Sequence, residues 1–279
     1  MDSVPTEHPV DSRFPLQTVE AHGHRFSYRD NGSGPAIVLL HGIGSGSGSW
    51  LSQLDGLSSD YRVIAWDAPG YGATTPVENP SPVAAEYADS LESLLAALNV
   101  KPAVLIGHSF GALTAASYAS THRELPMLIL ADPANGYGAV DEETRASKRD
   151  PRINAMQELG PIGLATKRSS ALLSPNASDE ARDLVRWNMS KLNPAGYVQA
   201  AHVLANSHLI GDAAAYNGPV LVMCGSKDTV TPEAVCRPVA DAYPNAKYQT
   251  LSGVGHASYV ENGAQFNAAV LGFMAEQNG

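Results

Sequence analysis

The sequence predicts an α/β protein: a mostly parallel eight-stranded sheet with helices on both faces and a helical insertion between two of its strands. Three observations predict it. Short apolar runs bounded by Gly, Pro, Asn or Asp alternate with helical patterns, the order that builds parallel βαβ units. Between residues 133 and 216 no strand-like run occurs, and helical patterns punctuated by Pro151, Pro161, Pro175 and Pro194 take its place. Between the apolar run 103–106 and the Ala-rich run 112–121 stands Gly107-His108-Ser109-Phe110-Gly111, a tight turn that joins a strand to a helix. The chain therefore divides into a core of residues 1–132 and 217–279 and an inserted helical lid of residues 133–216.

In chain order, 17–21 and 25–30, separated by His22-Gly23-His24, predict an antiparallel hairpin that opens the sheet. The run 36–40 is the next strand, and it empties into the glycine-rich loop His41 to Trp50. After the strand 63–66, Val83, Tyr87, Leu91, Leu94, Leu95 and Leu98 form a helical stripe, with Ser81 as N-cap, Pro82 as first helical residue and Asn99 as stop. Strands 103–106 and 127–131 follow, then the insertion, which is expected to bring Tyr137, Trp187 and Tyr197 over the sheet. The run 220–223 resumes the sheet, 246–251 is its last strand, and 265–277 closes the chain as a helix.

Composition narrows the function. A length of 279 residues builds a substantial core without disulfides, so Cys224 in an apolar run and Cys236 in a helical stretch are read as core residues, not as a bridge or metal site. The net charge of −10 opposes a nucleic-acid or anionic-membrane partner, since both need a basic surface to displace counterions. The densest basic cluster, Arg145 to Arg152, is interrupted by Asp150 and reads as a solvated helix face. Residues Met1 to Glu7 lack the basic start and apolar core of a secretory leader, and no run approaches the length of a membrane span. A cytoplasmic protein is expected.

Ser109 is the candidate nucleophile. Its turn forces a strained backbone, and only small residues two places away on either side, Gly107 and Gly111, let strand and helix close around it. A serine hydroxyl needs a base within hydrogen-bond reach and a third group to orient that base. His256, on the loop Ser252-Gly253-Val254-Gly255-His256 at the carboxyl end of the last strand, is the expected base. Asp228 is the expected orienting acid because Ser, Asp, His is the commoner chain order, with Asp132, at another strand end, its competitor. Two backbone N–H groups should face the developing oxyanion: that of Phe110, and that of Ile43 with Gly44 as second choice. Gly42, Gly44, His108 and Trp187 complete the expected substrate contacts. The glycine loop lacks a closing Lys-Ser/Thr and the G-x-G-x-x-G spacing, so it is not a phosphate cradle, and no cofactor is expected. His22 and His24 have no third ligand, so no metal is expected either.

His41-Gly42 with its glycine loop, Asp67-Ala68-Pro69-Gly70-Tyr71-Gly72, Gly107 to Gly111, Gly225-Ser226-Lys227-Asp228, and Gly255-His256 followed by Glu261 together resemble the α/β-hydrolase superfamily over about residues 17–277. That resemblance implies an eight-stranded hydrolase sheet and a serine hydrolase that needs no cofactor. Gly-x-Gly-x-Gly-x-x-Ser-Trp at 42–50 and Phe266-Asn267 resemble the meta-cleavage product hydrolases, which break carbon–carbon bonds. The chain departs from that branch where it has His108 and Phe110 instead of Asn and Met around the serine, and Ala257 instead of Trp after the histidine. Hydrolysis of a small carboxylic ester, lactone or thioester through an acyl-enzyme is thus the expected activity, with carbon–carbon cleavage as the alternative. Cofactor-free dioxygenases and ligand receptors on the same fold are the competitors from other classes. The expected partner is a small acyl substrate, with a homodimer left open.

Overall fold

The computed structural model describes residues 7–278. Residues 1–6, which carry most of the segment read for a leader, lie outside the described residues. One eight-stranded sheet runs in the order β1-β2-β4-β3-β5-β6-β7-β8. Its strands are β1 (Gln17–Ala21), β2 (His24–Asn31), β3 (Ala36–Leu40), β4 (Arg62–Trp66), β5 (Pro102–His108), β6 (Leu128–Ala131), β7 (Val220–Gly225) and β8 (Ala246–Leu251). β1 pairs antiparallel with β2, and β2 with β4; every later pairing is parallel. The opening hairpin turns on His22 and Gly23 alone, both at positive φ (52° and 79°), the geometry that two-residue hairpins need.

The central strands are apolar throughout because both faces are covered. Alternation along β3 sends Val38 and Leu40 into one core layer and Ile37 and Leu39 into the other. The first layer is roofed by α3 (Ala84–Ala97), α4 (Phe110–Thr121) and α9 (Glu233–Ala242). Against the second lie α2 (Leu51–Gly56) and α11 (Gly263–Asn278), whose Phe266, Val270 and Phe273 pack with Trp50 and Leu54. The short helices α1 (Pro9–Arg13), α8 (Leu209–Ala213) and α10 (Ser258–Glu261) complete the core. None of the described helices is long and apolar enough to cross a membrane.

The start of α3 differs from the sequence expectation. Val83 is its N-cap, and its N–H is closed by the Glu86 carboxylate at 2.9 Å. Ser81 is drawn away: its hydroxyl lies 3.0 Å from His202 Nδ1 and accepts from Asn206 Nδ2 at 3.1 Å, so Pro82 precedes the helix instead of opening it. Asn99 ends the helix as expected, in the left-handed region at φ 51°.

Between β6 and β7 the described chain is helical: α5 (Glu142–Arg168), α6 (Asp179–Ser190) and α7 (Pro194–Asn206), followed by α8. α5 runs through Pro151 and breaks at Gly160 (φ 61°, ψ −179°), a conformation reserved for glycine, just before Pro161. The segment leaves and returns through a common neck. There Gly138 N–H donates to the Ser207 carbonyl, Tyr137 N–H to that of Leu204, and Leu209 N–H to that of Asn135, all within 2.9 Å.

Candidate active site

The carboxyl ends of β5, β7 and β8 bring three side chains into a line. Ser109, at the end of β5, sits at φ 52°, ψ −113°, outside the conformations a serine prefers. Packing holds it there. A Cβ on Gly107 would lie 2.6 Å from the Gly111 carbonyl oxygen, and one on Gly111 would lie 2.4 Å from that of Leu40. Ser109 Oγ is 2.9 Å from His256 Nε2, and His256 Nδ1 is 2.8 Å from Asp228 Oδ2. All three residues are buried, with Ser109 7% and His256 4% exposed.

Asp228 follows β7 in a tight turn, where its Oδ1 accepts the N–H groups of Val230 (2.7 Å) and Thr231 (3.0 Å). Burial pushes this carboxyl up, but the His256 hydrogen bond and charge, with the two N–H donors, bring it down to about 2. It is therefore ionised wherever His256 needs it. Asp132, its competitor, is turned elsewhere: Oδ1 accepts from Gly225 N–H at 2.7 Å and Oδ2 from Ser258 Oγ at 2.6 Å. Burial, then the nearby Asp228 charge, raises the Asp132 carboxyl well above the usual range. The oxygens of both aspartates and the Cys224 thiol lie within 4.8 Å of one another. Every carboxylate oxygen there already accepts a hydrogen bond, so the group is arranged for its donors and not for a cation. Cys224 and Cys236 are both free and buried.

The loop after β3 lies beside Ser109. A Cβ on Gly42 would stand 3.4 Å from Ser109 Cβ. The Tyr71 hydroxyl donates to the Ile43 carbonyl at 2.9 Å, which fixes the orientation of that peptide unit. Phe110 is the first residue of α4, so its N–H has no acceptor within the helix. Gly44 faces the helical segment: its Cβ would meet Met189 Cε at 3.0 Å and Leu172 Cδ1 at 3.9 Å. Trp187 packs its ring on Gly48, beside His8.

His108 and His41 flank the line as neutral rings. His108 Nε2–H donates to the His256 carbonyl at 2.9 Å, and burial, then the neighbouring His256, lowers its pKa to about 3. His41 donates from Nδ1 to the Gly42 carbonyl (2.9 Å) and accepts Ala68 N–H at Nε2 (3.1 Å), its pKa lowered by burial.

Sequence reading does not single out Thr231 for a role. Its hydroxyl stands 2.8 Å from Asp228 Oδ2, 3.1 Å from His256 Nδ1 and 2.9 Å from the Asp132 carbonyl. The only signal is its place three residues after an Asp, a spacing suited to a capped turn.

The sheet order, the strained Ser109 turn and the hydrogen-bonded Ser, His and Asp at strand ends define a class. The chain belongs to the α/β hydrolase fold family, whose model matches residues 35–263. It is 27% identical over 251 residues to the protein named "Putative carbamate hydrolase RutD" of Stutzerimonas stutzeri (strain A1501), a match that covers 88% of this chain and 93% of that one. Among solved structures it resembles the enol-lactonase from Burkholderia xenovorans LB400, with TM-score 0.82, 23% identity, and 93% of this chain and 100% of that one covered. It also resembles a thermophilic esterase from Thermogutta terrifontis, with TM-score 0.81, 22% identity, and 94% and 97% covered.

Proposed function

We propose that this protein is a serine hydrolase that cleaves a small carboxylic ester, lactone or thioester through an acyl-enzyme. The observation that carries the reading is the continuous line from Ser109 Oγ through His256 to Asp228, at 2.9 and 2.8 Å, with the serine held at φ 52°. Ser109 Oγ attacks the acyl carbon while His256 Nε2 takes its proton, and Asp228 holds the imidazole and stabilises its charged form. The N–H groups of Ile43 and Phe110 receive the oxyanion, while Tyr71 holds the Ile43 carbonyl, and with it the following Gly44 peptide, in place beside them. His256 then returns the proton to the leaving group. Water, activated by the same histidine, releases the acid and restores Ser109.

The helical segment after β6 is the lid of this site. Met189 and Leu172 over Gly44, and the near-complete burial of Ser109 and His256, support a lid seated on the reacting side chains, an apolar cover that suits a small uncharged acyl group. The names of these relatives specify a carbamate, an enol-lactone and an ester, compounds whose acyl carbon is bonded to nitrogen or oxygen. They favour acyl transfer over carbon–carbon cleavage.

Incubation with a fluorophosphonate probe and with 4-nitrophenyl esters of graded acyl length tests the reading. Wild type should label and turn over, and Ser109→Ala should do neither, with kcat lower by about 10⁴-fold or more. Equal turnover in the two proteins would refute it.

A further inference from the structure

A single carboxylate joins the lid to the loop that carries the base. Glu261 lies at the end of α10, five residues after His256. Its Oε2 accepts the N–H of Gly255 at 2.9 Å, and the same oxygen accepts the N–H of Ser174, from the lid, at 2.8 Å. Oε1 accepts the Ser174 hydroxyl. On the other side of His256, Ala257 N–H donates to the carbonyl of Leu172 at 2.8 Å. The lid segment 172–174 is thus bonded to the residues immediately before and after His256. The fit is close: a Cβ on Gly255 would stand 2.6 Å from Ser174 N and 2.7 Å from the Leu173 carbonyl carbon. Leu172 also faces Gly44, next to the loop peptide of Ile43.

We propose that Glu261 is a positioning residue that makes the seated lid and the reactive placement of His256 one state. The inference rests on the serine-hydrolase reading for its kinetic consequence, but the strap itself is independent of any chemistry. The backbone N–H groups at 174 and 255 bond to the same Glu261 oxygen, so losing Glu261 releases both segments together. His256 would then sample positions away from Ser109 Oγ, and turnover would fall more than substrate affinity. Glutamine retains one carbonyl oxygen for the two N–H groups, and its amide can donate to the Ser174 hydroxyl, so it should preserve the strap. Aspartate keeps the charge but is one methylene too short to span both partners.

The test uses the full chain with Glu261→Ala, Glu261→Asp and Glu261→Gln. Amide hydrogen exchange reads the strap without substrate: Ala and Asp should speed exchange at Ser174, Gly255 and also Ala257, which Glu261 does not touch. Fluorophosphonate labelling and kcat should drop by about tenfold or more in Ala and Asp, stay within about threefold in Gln, and leave KM within about threefold. If Glu261→Ala does not fold, Glu261→Asp carries the comparison. Unchanged exchange at Ala257, or a change in KM without one in kcat, would overturn the proposal. Failure of the wild type to label would refute the hydrolase reading alone, because exchange still decides the strap.

Discussion

Two buried aspartates stand near one histidine, and the chain gives them opposite duties. Asp228 is held ionised by its donors, so Asp228→Asn should cost on the order of 10³–10⁴-fold in kcat. Asp132 is pushed toward its neutral form by burial, and an asparagine copies a neutral carboxyl in shape, so Asp132→Asn should leave kcat within a few fold. The two also pull stability in opposite directions with pH. The depressed Asp228 pKa contributes stability that is present above the unfolded value near 4 and is lost as pH falls toward about 2. The raised Asp132 pKa contributes stability that is complete only below the unfolded value and declines as pH rises through the carboxyl's elevated range. Thermal unfolding should therefore show Asp132→Asn gaining on wild type as pH increases; a constant difference would contradict this. With His108 lowered to about 3 and His41 also lowered by burial, neither flanking ring should add a second proton to the acid-side fall of kcat/KM, which should have a slope of one. The meeting of Ser109, His256 and Asp228 could be anticipated from sequence because each follows a strand, an apolar run for Ser109 and Asp228 and the last strand of the sheet for His256. The contacts of Thr231 and Ser174 could not, since their partners are far along the chain or depend on how a turn closes.

At the scale of the element, strands announced themselves better than helix starts did. A central strand covered on both faces is an unbroken apolar run, whereas the start of α3 is decided by whichever donor or acceptor arrives first. Ser81 has the right chemistry for a cap, but His202 and Asn206, more than a hundred residues away in sequence, claim its hydroxyl. Proline was a poor guide inside α5, which continues through Pro151 and breaks at Gly160. Two glycines separate conformation from space. Gly160 has nothing within 4 Å of a would-be Cβ but has φ 61°, so Gly160→Ala should cost about 1–2 kcal/mol through backbone strain alone. A Cβ on Gly196, in α7, would stand 2.1 Å from the Gly70 carbonyl oxygen, so Gly196→Ala must push the helix off the loop after β4, at about 2–3 kcal/mol. Melting curves should rank Gly196→Ala below Gly160→Ala, and the reverse order would show that space is not limiting at that contact.

The molecule as a whole brings Ser109, His256 and Asp228 together at the carboxyl ends of its strands, and its helical excursion meets that same end through Leu172, Ser174 and Met189. The fold was readable because alternation and strand-end placement are properties of sequence order. How the excursion meets the core was not, because it depends on contacts such as Gly196 on Gly70 that leave no periodic trace. The neck at 135–138 and 204–209 has a consequence for how such proteins can change. An excursion stapled at its base is a cassette: a foreign segment of different length grafted between Gly138 and Ser207 needs only to meet the same short span, and closing a longer loop costs little. Chimeras of that design should retain the Ser109, His256 and Asp228 spacing while trading one substrate range for another. They must also hand Glu261 a backbone N–H where Ser174 now supplies it, and Ala257 a carbonyl where Leu172 now does.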